Sequence, residues 1–304
     1  MKISRLGTYI TGFKYYKNKI EITNSTELEK IKLLKIPPAY NNVTIINNKK
    51  IIAYGYDSKN RKQVLYNPNF IAKQNIKKYD KISTSIKFFS KLKKKIAMDL
   101  DSSDEKTKAI SVIVTLILTC GFRIGNKKYE KENNSVGLTT LKYKHLKFEN
   151  NKILIDFIGK KGVRNIAYCE NNKIYEYLHK KFNNSAKIDN YIFDYGTNKI
   201  ITSNDVNEYL KSISMLYSKS NIITTKDLRT WNANMLFITF FKKLRKNKKG
   251  NTNETDIDNE RNVNKDIKKA IEMVAEKLHN TYSICKKSYI DPKIINNVQK
   301  QIKN

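Results

Sequence analysis

The chain has 304 residues, enough to bury a substantial core in one large or two smaller domains, and its 60 Lys and Arg against 28 Asp and Glu give a formal net charge of +32. So large a surplus points to a polyanionic partner, nucleic acid first; an AT-rich gene inflates Lys, Asn and Ile but does not explain the scarcity of acids. The longest apolar run, Val112 to Leu118, is far short of the roughly 20 residues that span a bilayer, and Met1-Lys-Ile-Ser-Arg lacks the apolar core of a signal peptide, so a soluble intracellular chain without a membrane anchor is expected.

The first 70 or so residues read as strand-rich. Ile20-Glu-Ile-Thr, Val43-Thr-Ile-Ile and Ile51-Ile-Ala-Tyr-Gly-Tyr are short β-branched or aromatic runs between Asn-rich turns, and Pro37-Pro38 excludes helix there. From Ile71 the texture turns helical, and Ser85 to Leu100 carries Ile86, Phe88, Phe89, Leu92 and Ile96 at near-helical spacing, which places a domain boundary near residue 74. Ser103-Asp-Glu caps the next helix, which contains the apolar run and ends near Gly121, so that Arg123 emerges just past a buried helix. Leu146-Lys-Phe, Lys152-Ile-Leu-Ile-Asp-Phe-Ile and Val163-Arg-Asn-Ile-Ala-Tyr, separated by Asn150-Asn151 and by Gly159-Lys-Lys-Gly162, predict a three-stranded antiparallel sheet with Lys160 and Lys161 at a hairpin tip.

The remainder reads as helical except for 247–264, a polar stretch with Gly250 and alternating charges that is expected to be a flexible linker or surface insertion. Beyond it, Ile267, Ala270, Ile271, Val274, Ala275 and Leu278 form one apolar helix face. The expected fold class is therefore α+β, with a small β-rich domain over 1–74 and a larger, mostly helical domain over 75–304 that contains the three-stranded sheet. Cys120, Cys169 and Cys285 form no CxxC pair and neighbour no His cluster, so they read as reduced thiols, not as disulfides or zinc ligands.

Four segments carry the chemistry: Cys120-Gly-Phe-Arg123-Ile-Gly-Asn-Lys-Lys-Tyr129, Phe157-Ile-Gly-Lys160-Lys161-Gly, Lys226-Asp-Leu-Arg229, and Leu278-His-Asn-Thr-Tyr-Ser-Ile-Cys-Lys-Lys-Ser-Tyr289. Cleaving a DNA strand without water as nucleophile requires an attacking hydroxyl, stabilisation of charge on a pentacoordinate phosphorus, and an acid for the departing 5′ oxygen. Any one of the 19 tyrosines is structural by default, and a lone arginine in a basic chain is an ordinary surface charge. The four segments together resemble the active site of the poxvirus-type type IB DNA topoisomerases.

That resemblance implies the following roles. Tyr289 is the nucleophile, leaving a 3′-phosphotyrosyl ester and a free 5′-OH, so that religation needs no ATP, metal or other cofactor. Arg123 and Arg229 offer planar donors to the non-bridging oxygens, Lys226 helps to position the same phosphate, and Asp227 orients. Lys160 is the general acid, with its neighbour Lys161 as the alternative. In poxvirus enzymes a histidine often precedes the nucleophile by nine residues; here that position is Asn280, as in family members with Leu-Gly-Asn-Thr-Pro, and His279 reads as structural.

Nearer the N-terminus, Ile36-Pro-Pro-Ala-Tyr40 and Tyr54-Gly-Tyr-Asp-Ser-Lys-Asn-Arg61-Lys-Gln63-Val-Leu-Tyr66 resemble the family's signature segments, in a β domain that closes over DNA from the opposite side. Arg61, Gln63 and Tyr66 would then face DNA, the glutamine reading a base edge. Tyr129 would meet a phosphate, with Asn126 and Lys128 as helpers. His145 and His179 belong to no motif. The implied partner is duplex DNA, clamped by a monomer, and family analogy places the chain in a virion or in the cytoplasm of an infected cell. The rivals are a tyrosine recombinase, which shares the Arg, Lys, Arg and Tyr logic but normally has a helical N-terminal domain, and a non-enzymatic DNA-packaging protein.

Overall fold

The computed structural model describes residues 2–184, 187–197, 199–217, 221–246 and 256–300. The chain divides into two compact units, Met1–Asp80 and Lys81–Asn304.

Unit 1 is built on a six-stranded antiparallel sheet. In chain order it contains β1 (Ile3–Thr8), β2 (Gly12–Lys17), β3 (Ile20–Glu21), helix α1 (Ser25–Lys32), β4 (Asn41–Ile45), β5 (Ile51–Tyr56) and β6 (Lys62–Tyr66), with spatial order β3-β2-β1-β4-β5-β6. Asn24 caps α1 by accepting from Glu27 N–H, and Ile31 buries the helix against the sheet core of Tyr15, Val43, Ile45 and Ala53. The hairpin of β1 and β2 and the helix α1 were not legible in the sequence. Their alternation is broken by Arg5, which is 4% exposed and points inward.

Arg5 explains the Ile36 to Tyr40 segment. Its guanidinium donates to the carbonyls of Ile36, Pro37 and Tyr40 at 3.4, 3.0 and 2.6 Å, and it lies over the Phe13 ring at 4.2 Å. Two consecutive prolines leave carbonyls with no ladder to join, and one buried arginine satisfies them. Pro37 O also accepts Tyr40 N–H at 3.2 Å, so Arg5→Met should take the Arg5 donor from the Ile36 and Tyr40 carbonyls and one of two donors from Pro37 O, and destabilise unit 1 by about 3 kcal/mol. A urea midpoint within about 0.5 kcal/mol of wild type, after conversion with the measured slope, would contradict this assignment.

Helix α2 (Pro68–Thr84) runs through the division between the units, which falls after Asp80, six residues beyond the boundary near residue 74 read from the sequence. Unit 2 continues with α3 (Ile86–Asp99), α4 (Glu105–Cys120), α5 (Lys127–Asn133), the strands β7 (Leu146–Glu149), β8 (Lys152–Ile158) and β9 (Arg164–Cys169), and α6 (Asn172–Asn183). A short β10 and β11 pair (Asp194–Tyr195, Lys199–Ile200) precedes α7 (Ser203–Tyr217), α8 (Thr225–Lys246), α9 (Asp256–Lys277), α10 (Tyr282–Ser288) and α11 (Pro292–Lys300). The β7-β8-β9 sheet is antiparallel, with turns where the sequence predicts them. Asp104 caps α4 through Thr107 N–H, and apart from a stripe of Lys108, Ser111, Thr115 and Thr119 the helix is apolar: Val112, Ile113, Val114, Leu116 and Ile117 are all fully buried. A helix with so wide an apolar surface belongs at the centre of a domain, and α3, α7, α8 and β9 pack about it.

One expectation is corrected. The stretch 247–264 reads as a linker, yet α9 begins at Asp256; residues 247–255 lie outside the described residues. Val263 explains the difference. It lies four residues before Ile267 on the same buried face and extends the apolar stripe one turn further back than Ile267, where the sequence pattern becomes obvious. Among the described residues, no helix is long and apolar enough to cross a membrane, and the three cysteines are free and buried.

Candidate active site

Three segments of unit 2 meet at the N-terminal half of α8. The first is the turn after α4. Gly121 ends that helix at φ +69°, and a Cβ there would lie 2.1 Å from Lys277 O, so only glycine lets the turn approach the end of α9. Phe122 is then buried and Arg123 emerges partly exposed.

Arg229, in the second turn of α8, is 4% exposed. Its Nη1 donates to Gly121 O and its Nη2 to Leu278 O at 3.1 Å, so one guanidinium joins the Arg123 turn to the segment after α9. Burial lowers the Arg229 pKa to about 10, still far above neutrality, so the group remains a cation. Arg123 Nη2 donates to Asn280 Oδ1, which fixes the amide so that Nδ2 points away from the arginine. Among the described residues, the buried N–H groups Arg229 Nε and Asn280 Nδ2 have no hydrogen-bond partner.

Tyr289 follows α10, which Thr281 caps through Ile284 N–H. The Arg229 guanidinium lies 5.6 Å from the centre of the Tyr289 ring. Burial pushes the Tyr289 hydroxyl up, but the charges of Arg229 and Arg123 and the nearby Arg229 and Asn280 donors outweigh it, and the net pKa lies below the ordinary value. Among the described residues neither donor, Arg229 Nε or Asn280 Nδ2, makes a hydrogen bond of normal geometry. The arrangement is a lowered-pKa hydroxyl beside two cations and two uncommitted buried donors, which is chemically suited to a tetrahedral or pentacoordinate oxyanion.

Two elements fix the segment, of which Asn234 was missed in the sequence and His279 was read there as structural. Asn234 donates from Nδ2 to Tyr289 O at 2.9 Å and accepts Asp291 N–H on Oδ1 at 2.8 Å, clamping the chain on both sides of Ile290. The available signal was two asparagines, Asn232 and Asn234, in the middle of a buried helix, where that residue type is unfavourable unless its amide is used. His279 adopts φ +52°, stacks on Phe122 at 5.1 Å and donates from Nε2 to Cys120 O at 3.0 Å. Burial first, and then the charges of Arg229, Arg123 and Lys277, hold its pKa below the usual value, so the ring is neutral at neutral pH.

The remaining expected residues are placed as follows. Lys160 and Lys161 occupy the β8-β9 turn, Lys161 at φ +62°, and both are exposed. Gly159 precedes them because a Cβ would lie 2.4 Å from the buried Asn165 amide. Among the described residues, no hydrogen bond or ion pair joins either lysine side chain to Arg123, Arg229, Asn280 or Tyr289. Lys226 is exposed in the first turn of α8. Asp227 accepts from Thr224 N–H and hydroxyl and from Lys81 Nζ at 2.7 Å, so it orients the start of α8. Tyr129 is 60% exposed on α5, and Asn126 caps that helix through Lys128 N–H. In unit 1, Arg61 and Gln63 both donate to Asp57, and Tyr66 stacks on Phe70 at 5.7 Å.

The family model for the catalytic core of eukaryotic DNA topoisomerase I matches residues 59–304, which includes all four segments. The chain is 30% identical to the DNA topoisomerase 1B of Acanthamoeba polyphaga mimivirus over 91% of its own length and 81% of the relative's. The chain belongs to the type IB DNA topoisomerase family. DNA topoisomerase 1 of Rabbit fibroma virus (strain Kasza) is 28% identical over 94% of this chain and 87% of that protein, and the Vaccinia virus (strain Copenhagen) DNA topoisomerase 1B is 29% identical over 82% and 73%. Among solved structures, the XerH site-specific recombinase bound to palindromic difH substrate overlaps 73% of this chain and 49% of its own, at 14% identity and a TM-score of 0.40.

Proposed function

We propose that the chain relaxes supercoiled duplex DNA by nicking one strand through Tyr289, allowing rotation about the intact strand, and resealing the nick without ATP or a metal ion. The observation that carries this reading is the lowered-pKa Tyr289 hydroxyl beside Arg229, Arg123 and the unpartnered donors Arg229 Nε and Asn280 Nδ2. Tyr289 Oη attacks the phosphorus and loses its proton to solvent as the P–O5′ bond breaks. Lys160 gives a proton to the departing 5′ oxygen. The arginines and Asn280 hold the non-bridging oxygens as charge accumulates on them. The tyrosyl ester conserves the phosphodiester bond energy, so attack by the 5′-OH reverses each step. Arg61, Gln63 and Tyr66 of unit 1 and Tyr129 and Lys226 of unit 2 contact the duplex, and the net charge of +32 supplies the general attraction. The chain acts as a monomer, and its viral relatives favour a virion or the cytoplasm of an infected cell as its place of action.

Relaxation of a negatively supercoiled plasmid in EDTA, without nucleotide, tests the function; no change in linking number at any enzyme ratio would refute it. For the acid, substrates with sulfur in place of the 5′-bridging oxygen have a leaving group that scarcely needs a proton. Lys160→Ala should lose about 10² to 10⁴ in cleavage rate on oxygen substrates and recover most of it on sulfur substrates. Selective rescue of Lys161→Ala would move the acid one residue along the turn.

A further inference from the structure

We propose that Asp57 is a specificity-determining positioning residue of unit 1, acting on DNA through Gln63 and Arg61; this rests on the reading of β6 as a DNA-facing strand. The turn from β5 to β6 is built around Asp57. Its Oδ1 accepts the backbone N–H of Lys59 and of Arg61, each at 3.0 Å, and its own N–H donates to Arg61 O at 3.1 Å. Its Oδ2 collects three side-chain donors: Arg61 Nε at 2.9 Å, Arg61 Nη2 at 2.8 Å and Gln63 Nε2 at 2.9 Å.

Two consequences follow from the chemistry of a carboxylate. The Arg61 hydrogen bonds hold its pKa well below the usual range, at about 2, so Asp57 is ionised under any working condition and only accepts. A free glutamine amide turns over and satisfies donor or acceptor edges alike, whereas Gln63 must direct its NH₂ toward Asp57 and keep Oε1 for another partner. An acceptor offered to the major groove selects a base with an amino group on its major-groove edge, adenine or cytosine, over guanine, whose amino group lies in the minor groove, or thymine. The second consequence is electrostatic. Asp57 competes with phosphates for Arg61 and places a negative charge beside a DNA-facing strand, which weakens contact with any duplex that does not also satisfy Gln63. Sequence selectivity is thereby gained at the expense of general affinity.

Asp57→Asn in the full-length chain separates this role from that of a turn-former, because Asn keeps Oδ1 for the two backbone amides and turns Nδ2 toward Arg61 and Gln63, releasing both. The expected result is tighter binding to random-sequence duplex, a slope of log K against log salt steeper by about 0.9, and cleavage spread over more positions on a long duplex. Asp57→Ser, which retains an acceptor for the turn, should behave in the same way, so a folding defect in one variant leaves the other to decide. An unchanged cleavage distribution, or weaker binding with the wild-type distribution retained, overturns the inference. Gln63→Ala distinguishes the two levels: if it spreads the cleavage sites while the Asp57 variants do not, Asp57 alone is misassigned; if it leaves them unchanged, β6 does not read DNA.

Discussion

Tyr289→Phe is expected to bind duplex DNA with wild-type affinity and to form no covalent adduct. The substitution removes one oxygen from a half-buried ring packed against the α8 and α9 core, so packing is preserved, and the Asn234 clamp acts on the backbone of the following residues. Removing a nucleophile costs on the order of 10⁶ in rate where it has been measured in other enzymes, so cleavage should fall below detection. A detergent-resistant complex formed by the variant, or peptide mapping of the wild-type adduct to another tyrosine, would refute the assignment. The lowered pKa adds a signature. Because the folded value lies below the ordinary tyrosine value of about 10, the wild-type single-turnover rate should rise with pH and level off before that point. Arg123→Ala removes one of the charges that depress it and should shift the rise to higher pH.

Asn280→Ala should slow cleavage by roughly 10² to 10³, the usual effect of deleting one oxyanion donor, or about 2.7 to 4 kcal/mol. Its Nδ2 is buried and unpartnered, and its Oδ1 is committed to Arg123, so the side chain has one hydrogen-bonding task and one uncommitted donor. His279→Ala should have a smaller effect. The His279 ring donates to Cys120 O and stacks on Phe122, contacts that hold the segment without pointing at the oxyanion position. Asparagine does not titrate, and the His279 pKa is lowered, so wild-type cleavage should show no step near pH 6.5. A larger loss in His279→Ala than in Asn280→Ala, with an inflection near that pH that vanishes in the variant, would transfer the role to His279.

Much of unit 2 was legible because its signals are local. The apolar run of α4, the two turns of the small sheet and the stripe from Ile267 to Leu278 each depend on spacing within one segment. Residue types in the four motifs identified the candidate site, but not what holds it together. Arg229 reads in sequence as a phosphate ligand, yet two of its nitrogens bind Gly121 O and Leu278 O, leaving Nε without a partner. Contacts between residues separated by 108 and 49 positions in the chain leave no periodic trace. Unit 1 was read less completely for a related reason: β1 carries its most buried side chain as an arginine, and hydrophobic alternation cannot reveal a strand whose inward residue is charged. Asp57 was likewise passed over as one polar residue in a polar turn, although five donors converge on it.

Helix α8 also has a consequence for the fidelity of resealing. From one rod hang the turn after α4, through Asn232 to Leu118 O and Arg229 to Gly121 O; the segment after α9, through Arg229 to Leu278 O; and the Tyr289 segment, through Asn234. Residues 229 and 234 are separated along that rod by roughly 7.5 Å, at about 1.5 Å per residue, and no hinge lies between them. A strand end esterified to Tyr289 would therefore keep its distance from Arg229 however far the duplex downstream has swivelled. On the proposed mechanism the wandering end would be the free 5′ hydroxyl, and its return would time closure, so torque in the DNA would set how many turns escape per nick while the protein contributed a stationary dock.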